Sequence, residues 1–216
     1  MESLELLPAR VRIASILKKA ILAGEYKSGE ELSLTGIAEQ LGVSRTPVRE
    51  AFQALASEGL INLRMNRGAI VNNIDEKFVT DHYDMRILLE GEAAARAAAY
   101  GMEVSELLSC LYHLTDNLPH MDRPYYEKLN QNIHLSIWKA ANNQKLYTYL
   151  TNLWNGPSIG NSNSELEHYK KSTDEHIQIL LAIRKGDDES ARLAMRQHIS
   201  RSKDNILQCF RSALRT

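Results

Sequence analysis

The sequence predicts a mainly α-helical protein with one small β-hairpin, and three observations carry that prediction. Apolar residues recur at helical spacing in most segments of the chain. Strand-like runs are confined to "LINLR" and "AIV", joined by Met65-Asn66-Arg67-Gly68, which reads as a hairpin turn. From about Asp75 onward no run reads as a strand, and "DMRILLEGEAAARAAAYG" is alanine-rich and helix-favouring.

Taken in order, residues 10 to 23 read as a helix that ends at Gly24, with Ile13, Ile16, Leu17, Ala20 and Ile21 on one face. A short helix fits Thr35 to Gln40, with Ser33 or Thr35 as its cap, and Gly42 supplies the next turn. The third helix runs from Ser44 to about Glu58, and the hairpin follows. Helix, helix, helix, hairpin is the order of a winged helix-turn-helix. Beyond it, helices are expected in the alanine-rich stretch and over about 104–118, 124–142, 144–154, 166–185 and 188–213. "NGPSIGNSNS", 155–164, is the clearest loop; Lys185-Gly186-Asp187 separates the last two helices, and Asp187 can cap the final one. The expected division is 1–73 for the winged helix-turn-helix and 74–216 for an all-α antiparallel bundle of about six helices, with the boundary near "NNIDEK".

The bulk numbers narrow the function classes. A chain of 216 residues, 44% hydrophobic and 25% charged, is an ordinary soluble globular protein with room for two small domains. Its formal net charge of −1 gives no global basic field, so a nucleic-acid partner must be met by a local patch. The apolar runs are too short to span a membrane, and "MESLELLPAR" carries acids where a secretion signal carries bases. Cys110 and Cys209 fall in helical patterns and are expected as reduced residues of a cytoplasmic protein.

The third helix holds such a patch. Val48, Ala51, Phe52 and Leu55 make an apolar stripe, while Arg45, Arg49 and Gln53 line the opposite side. Ser44 fits the N-cap and Pro47 the first turn, so the cap hydroxyl is expected to serve the N–H of Thr46. A helix N-terminus with two hydroxyls and two guanidiniums faces anions, and in a helix-turn-helix this end enters the major groove of double-stranded DNA, where arginine reads guanine bidentately. Arg64 and Arg67 on the hairpin can add backbone or minor-groove contacts. The bland alternative is a solvated face with salt bridges to Glu50 or Glu58.

Three of the seven histidines have suggestive spacing. His134 lies one turn after Asn130 on one helix face. His176 precedes Gly186 and His198 follows it by similar distances, so a hairpin turning at Gly186 brings both to nearly the same height. Neutral imidazoles so placed suit Zn, Ni, Mn or Fe. The alternative is three polar core residues bonded to water or backbone. His82, His113, His120 and His168 have no comparable partners, and Tyr125, Tyr126, Tyr147, Tyr149, Tyr169, Trp138 and Trp154 fit either a pocket lining or plain packing.

The stretch "LTGIAEQLGVSRTPVREAFQALASEGLINLRMNRGAIV" resembles the winged helix-turn-helix of the GntR family of bacterial transcription regulators, through "LGVSRTPVREA", "EGLI" and "RGAIV". The helical remainder resembles the FadR/FCD-type ligand-sensing domain. The resemblance implies operator contacts by Arg45, Thr46 and Arg49, a wing tip at Gly68, and a homodimer. Ser44 and Arg67 join the expected DNA-binding set. It also implies a divalent metal held by an Asp, a His four residues on and two later histidines, which fall here on Asn130, His134, His176 and His198. Asn130 stands at the Asp position, so the set loses one negative charge and its pull on hard cations weakens. Arg86 matches an arginine that in some relatives meets an effector carboxylate; the competing reading is a salt bridge with Glu90 or Asp84.

These readings converge on a transcription regulator, expected to be a repressor, that binds a palindromic operator as a dimer under control of a small organic acid. A metal-dependent hydrolase using the three histidines is the second hypothesis, weakened by the lack of a placed general base. An architectural DNA-binding protein with an inert helical domain is the third.

Overall fold

The computed structural model describes residues 7–65, 68–117, 122–156 and 165–215. These fall into two compact units. The first contains residues up to Val79 together with Trp154–Gly156 and Ile206 to the C-terminus; the second contains Thr80–Leu153 and the segment up to Asn205.

In the first unit, α1 (Ala9–Leu22), α2 (Leu34–Gln40) and α3 (Arg45–Ser57) precede a small antiparallel sheet of β1 (Glu31–Leu32), β2 (Ile61–Arg64) and β3 (Gly68–Val71), in the order β1-β3-β2. The two-residue strand β1 is too short to leave a periodic signal in the sequence. It pairs Glu31 with Ile70 and Leu32 with Ala69. Ser33 caps α2, its Oγ accepting from the Gly36 N–H at 3.2 Å. The α3 stripe Val48, Ala51, Phe52 and Leu55 is buried as the spacing predicts.

The face of α1 differs from expectation. Ile16 is 52% exposed, and Lys18 is buried in its stead, its Nζ 2.5 Å from Glu58 Oε2. The helix buries the arc through Ile13, Ala14, Leu17, Lys18 and Ile21, and Ile16 lies outside it. Lys18 takes a place in the buried arc because its long stem carries the ammonium to Glu58, which is half-buried. The unit also includes the end of the last helix, where a Cβ at Gly24 would meet that of Ala213 at 2.9 Å, and Trp154, whose carbonyl accepts from Ser15 Oγ at 3.1 Å.

The second unit is all-helical. It takes in most of α4 (Glu76–Ala99), then α5 (Ser105–Asp116), α6 (Arg123–Ala140), α7 (Gln144–Leu153), α8 (Glu165–Arg184) and most of α9 (Asp188–Ala213). α4 starts well before the alanine-rich stretch because Asp75 Oδ1 accepts from the Phe78 N–H at 2.7 Å and fixes an earlier first turn. Asp187 accepts from the Ser190 N–H at 3.0 Å, the expected cap of α9. Gly186, at φ +70°, makes the turn between α8 and α9. Ala93, Ala94, Ala97 and Ala98 of α4 are buried with Ile133 and Trp138 of α6, Ile179 and Leu180 of α8, and Ala191 and Met195 of α9.

Candidate nucleic-acid edge and histidine centre

On α3 the side opposite the buried stripe carries Arg45, Thr46, Arg49 and Gln53, all exposed. Neither Arg45 nor Arg49 has an ion-pair partner among the described residues, and Glu58, a candidate partner by sequence, is engaged by Lys18. The edge is therefore a solvated cationic row on the back of a buried apolar stripe. Ser44 is the N-cap residue, but its side chain makes no cap hydrogen bond, so the expected bond to the Thr46 N–H is not formed. Pro47, at the third position of the helix, lacks the N–H that a cap hydroxyl commonly serves, and the Ser44 hydroxyl is left facing solvent.

Gly68 has a structural reason for being glycine. Its φ is +120°, and a Cβ there would lie 2.0 Å from the Leu32 carbonyl oxygen, so any side chain would push β3 off β1. Arg67 and Asn66 lie outside the described residues.

In the second unit, His134 of α6, His176 of α8 and His198 of α9 converge, all buried, with one nitrogen of each within 4.8 Å of the others. The rings of His176 and His198 are 4.5 Å apart between centroids, the level approach that a hairpin at Gly186 predicts. His134 Nδ1 is 2.6 Å from Glu90 Oε2, and His198 Nδ1 is 2.7 Å from Glu175 Oε2. A carboxylate only accepts, so each Nδ1 carries the proton and each Nε2 keeps its lone pair when the ring is neutral. Burial, reinforced by the neighbouring histidines, lowers His176 well below its ordinary pKa and, despite Glu175, lowers His198 as well.

Each carboxylate is held in turn by an arginine. Arg86 Nε donates to Glu90 Oε1 at 2.8 Å, and the Trp138 indole N–H lies 3.3 Å from Glu90 Oε2. Arg201 donates through Nε and Nη2 to the two oxygens of Glu175 at 2.6 and 2.5 Å. Burial pushes both carboxyls up, but the arginine and imidazole beside each outweigh it and hold Glu90 and Glu175 at about 2. The result is two chains, Arg86–Glu90–His134 and Arg201–Glu175–His198, that orient ring nitrogens toward one point.

The residues fit a divalent ion. His134 Nε2 is 3.3 Å from His176 Nε2, and bonds of about 2.0–2.1 Å place two nitrogens on one tetrahedral ion about 3.4 Å apart. Without an ion the same pair serves as a hydrogen bond between imidazoles. Asn130 is buried one turn before His134, and its Nδ2 has no hydrogen-bond partner among the described residues. Arg86 is bound to Glu90, the salt-bridge alternative, while Asp84 is taken by Lys203 at 2.9 Å. Sequence reasoning passed over Glu175 and Arg201, which lie beside His176 and one turn beyond His198; only the hairpin geometry reveals them. Trp138 bonds into this network, Tyr126 meets Tyr169 with ring centroids 4.4 Å apart and planes tilted by 45°, and Tyr149 is exposed. Trp154 belongs to the other unit. Of the remaining histidines, His168 is buried with Arg201 Nη1 3.4 Å from its Nδ1, and His120 lies outside the described residues.

Residues 9–71 match the model of the bacterial regulatory proteins of the gntR family, and residues 81–201 match the FCD domain. The chain belongs to the GntR family and carries an FCD domain. It is 29% identical over 213 residues to the HTH-type transcriptional repressor RspR of Escherichia coli, covering 93% of this chain and 90% of that protein. It is 33% identical over 147 residues to the gluconate operon transcriptional repressor of Bacillus subtilis, covering 67% of this chain but only 58% of that protein. The solved structure of E. coli McbR/YncC has the same fold, with a TM-score of 0.70 at 22% identity, covering 94% of this chain and 99% of that one. The family and these named relatives are transcription regulators, not enzymes. No helix among the described residues is long and apolar enough to cross a membrane.

Proposed function

We propose that this protein is a ligand-responsive transcription repressor of the cytoplasm that binds a palindromic operator as a homodimer. The observation that carries the reading is the exposed Arg45–Arg49 edge of α3, without an ion-pair partner among the described residues and opposite a fully buried stripe. Arg45 and Arg49 read base edges, while Ser44, Thr46, Arg67 and Gly68 approach the backbone. Two-fold symmetry sets the half-sites about one helical turn apart or less.

The FCD domain is the sensor. His134, His176 and His198, with Asn130 beside them, would hold a divalent ion such as Zn, Ni, Mn or Fe, and the ion would supply a positive charge for a small organic acid. Glu90 and Glu175 keep the imidazoles aimed. Arg86 serves Glu90 and, with five donors, can reach an acid as well. The acid controls DNA affinity by its differential affinity for the DNA-competent state. Selection of operator sites from random duplexes tests the first half: the wild type should enrich a palindrome, and Arg45→Ala with Arg49→Ala should enrich none while melting normally. Enrichment by the double variant equal to that of the wild type sinks the assignment.

A further inference from the structure

Among the described residues, the histidine centre lacks an anion of its own. The group that could hold a metal consists of three imidazoles, with no carboxylate of the described residues among them. The two carboxylates that touch it are already balanced, Glu90 by Arg86 and Glu175 by Arg201. An ion held by three neutral imidazoles would therefore bring two positive charges into a buried place with no negative charge left to meet them. Asn130, one turn from His134 and 4% exposed, offers no charge either. Its Nδ2 is a buried donor lacking an acceptor among the described residues, which destabilises the fold unless something arrives to accept. A ligand with an anionic oxygen would answer both deficits at once.

We infer that Asn130 makes metal binding and anion binding interdependent: the divalent ion is held tightly only together with an exogenous carboxylate, one oxygen of which accepts from Asn130 Nδ2. The inference rests on the histidine-centre reading above and adds a thermodynamic coupling to it. A carboxylate at position 130 would supply the charge from within and make the site indifferent to the acid. The carboxamide turns the centre into a detector of the two ligands together, and by linkage each raises the affinity for the other by the same factor.

Titration calorimetry of the full chain with Zn²⁺ tests this in chloride-free buffer, because chloride would itself supply charge. The probes are acetate and its neutral isostere acetamide. Acetate should strengthen Zn²⁺ binding by about tenfold or more, within the usual range of coupling between sites, and acetamide should not. Asn130→Asp should bind Zn²⁺ more tightly than the wild type without acetate, and acetate should then add little. If that variant does not fold, Asn130→Ala serves: acetate binding to the zinc-loaded protein should weaken about fivefold, the worth of one hydrogen bond to a buried donor. Zn²⁺ binding that is equally tight with acetate, acetamide or neither overturns the coupling and leaves the metal reading standing. Absence of Zn²⁺ binding under all three conditions overturns both.

Discussion

The two units treat charge in opposite ways. In the first, the arginines assigned to function stand in solvent on α3, and the ion pair of buried Lys18 with half-buried Glu58 lies apart from them. In the second, the groups assigned to function are themselves the buried ones: His134 and His198 share hydrogen bonds with the carboxylates Glu90 and Glu175, and His176 lies against His134. The carboxyls show the same contrast. Burial pushes Glu58 up more than the single lysine pulls it down, whereas Glu90, with an arginine and an imidazole, is held at about 2. An exposed site can be altered without touching stability. A buried one cannot, because each of its residues is also part of the fold.

Substitution at Glu90 should show the largest effect. Glu90→Gln takes the carboxylate charge away from the Arg86 guanidinium, 3% exposed, and leaves one acceptor oxygen where two now serve Arg86 and His134 Nδ1–H. Breaking a buried pair from one side costs about 3–5 kcal/mol, so urea unfolding should register a loss of that order. A loss under about 1 kcal/mol would erase the contrast between the units, since the centre would then be no more structural than a surface patch. Chelation comes next. Stripping metal from protein held at a free-ion level of about 100 times Kd should remove about 2.7 kcal/mol of stability, and His176→Ala should abolish that difference. An unchanged melting curve on chelation would leave the three imidazoles as a polar core cluster.

How much of this the sequence shows depends on where each group sits. The α3 edge is legible because its signal is local: a stripe and an opposing row repeat within one helix, and solvent permits the row without further partners. His176 and His198 are legible because a single glycine turn maps one onto the other. Their company is not. Glu90 reaches His134 from another helix, and nothing in its spacing marks it as that partner beyond the i, i+4 relation to Arg86. Ile16 misleads for the converse reason: its apolar character is real, but Lys18 takes the buried place through a residue on α3's C-cap that only the fold brings near. Short-range periodicity is recorded in the sequence; a contact between helices is recorded only when a turn of known geometry joins them.

The exposed edge should respond differently. Arg49→Lys keeps the charge and loses the planar fork, so operator affinity should fall by about 1–3 kcal/mol, chiefly through lost discrimination at one base pair. Its salt dependence should stay close to that of the wild type, because a phosphate-type charge remains. Thermal stability should move by less than about 0.5 kcal/mol, as expected of a surface change without structural partners. A melting shift as large as that of Glu90→Gln would mean that the edge is not the free surface described.

The smallest change sharpens the comparison most. Ser44 occupies the N-cap of α3, a position where replacing serine by alanine usually costs about 1 kcal/mol. Here the hydroxyl makes no cap bond, and Pro47 has removed one of the N–H groups it would have served. Ser44→Ala should therefore cost less than about 0.5 kcal/mol in stability, because no intramolecular bond is lost. If the hydroxyl is kept for a phosphate oxygen at the helix N-terminus, operator binding should weaken by about 0.5–1.5 kcal/mol, equally for every operator sequence, since a phosphate contact positions the head without reading bases. A stability loss near the usual cap value, with DNA affinity unchanged, would return Ser44 to an ordinary structural cap. Uniform weakening with an unchanged melting curve would instead show that the first turn of α3 has given up a bond within the protein to leave a donor ready for DNA.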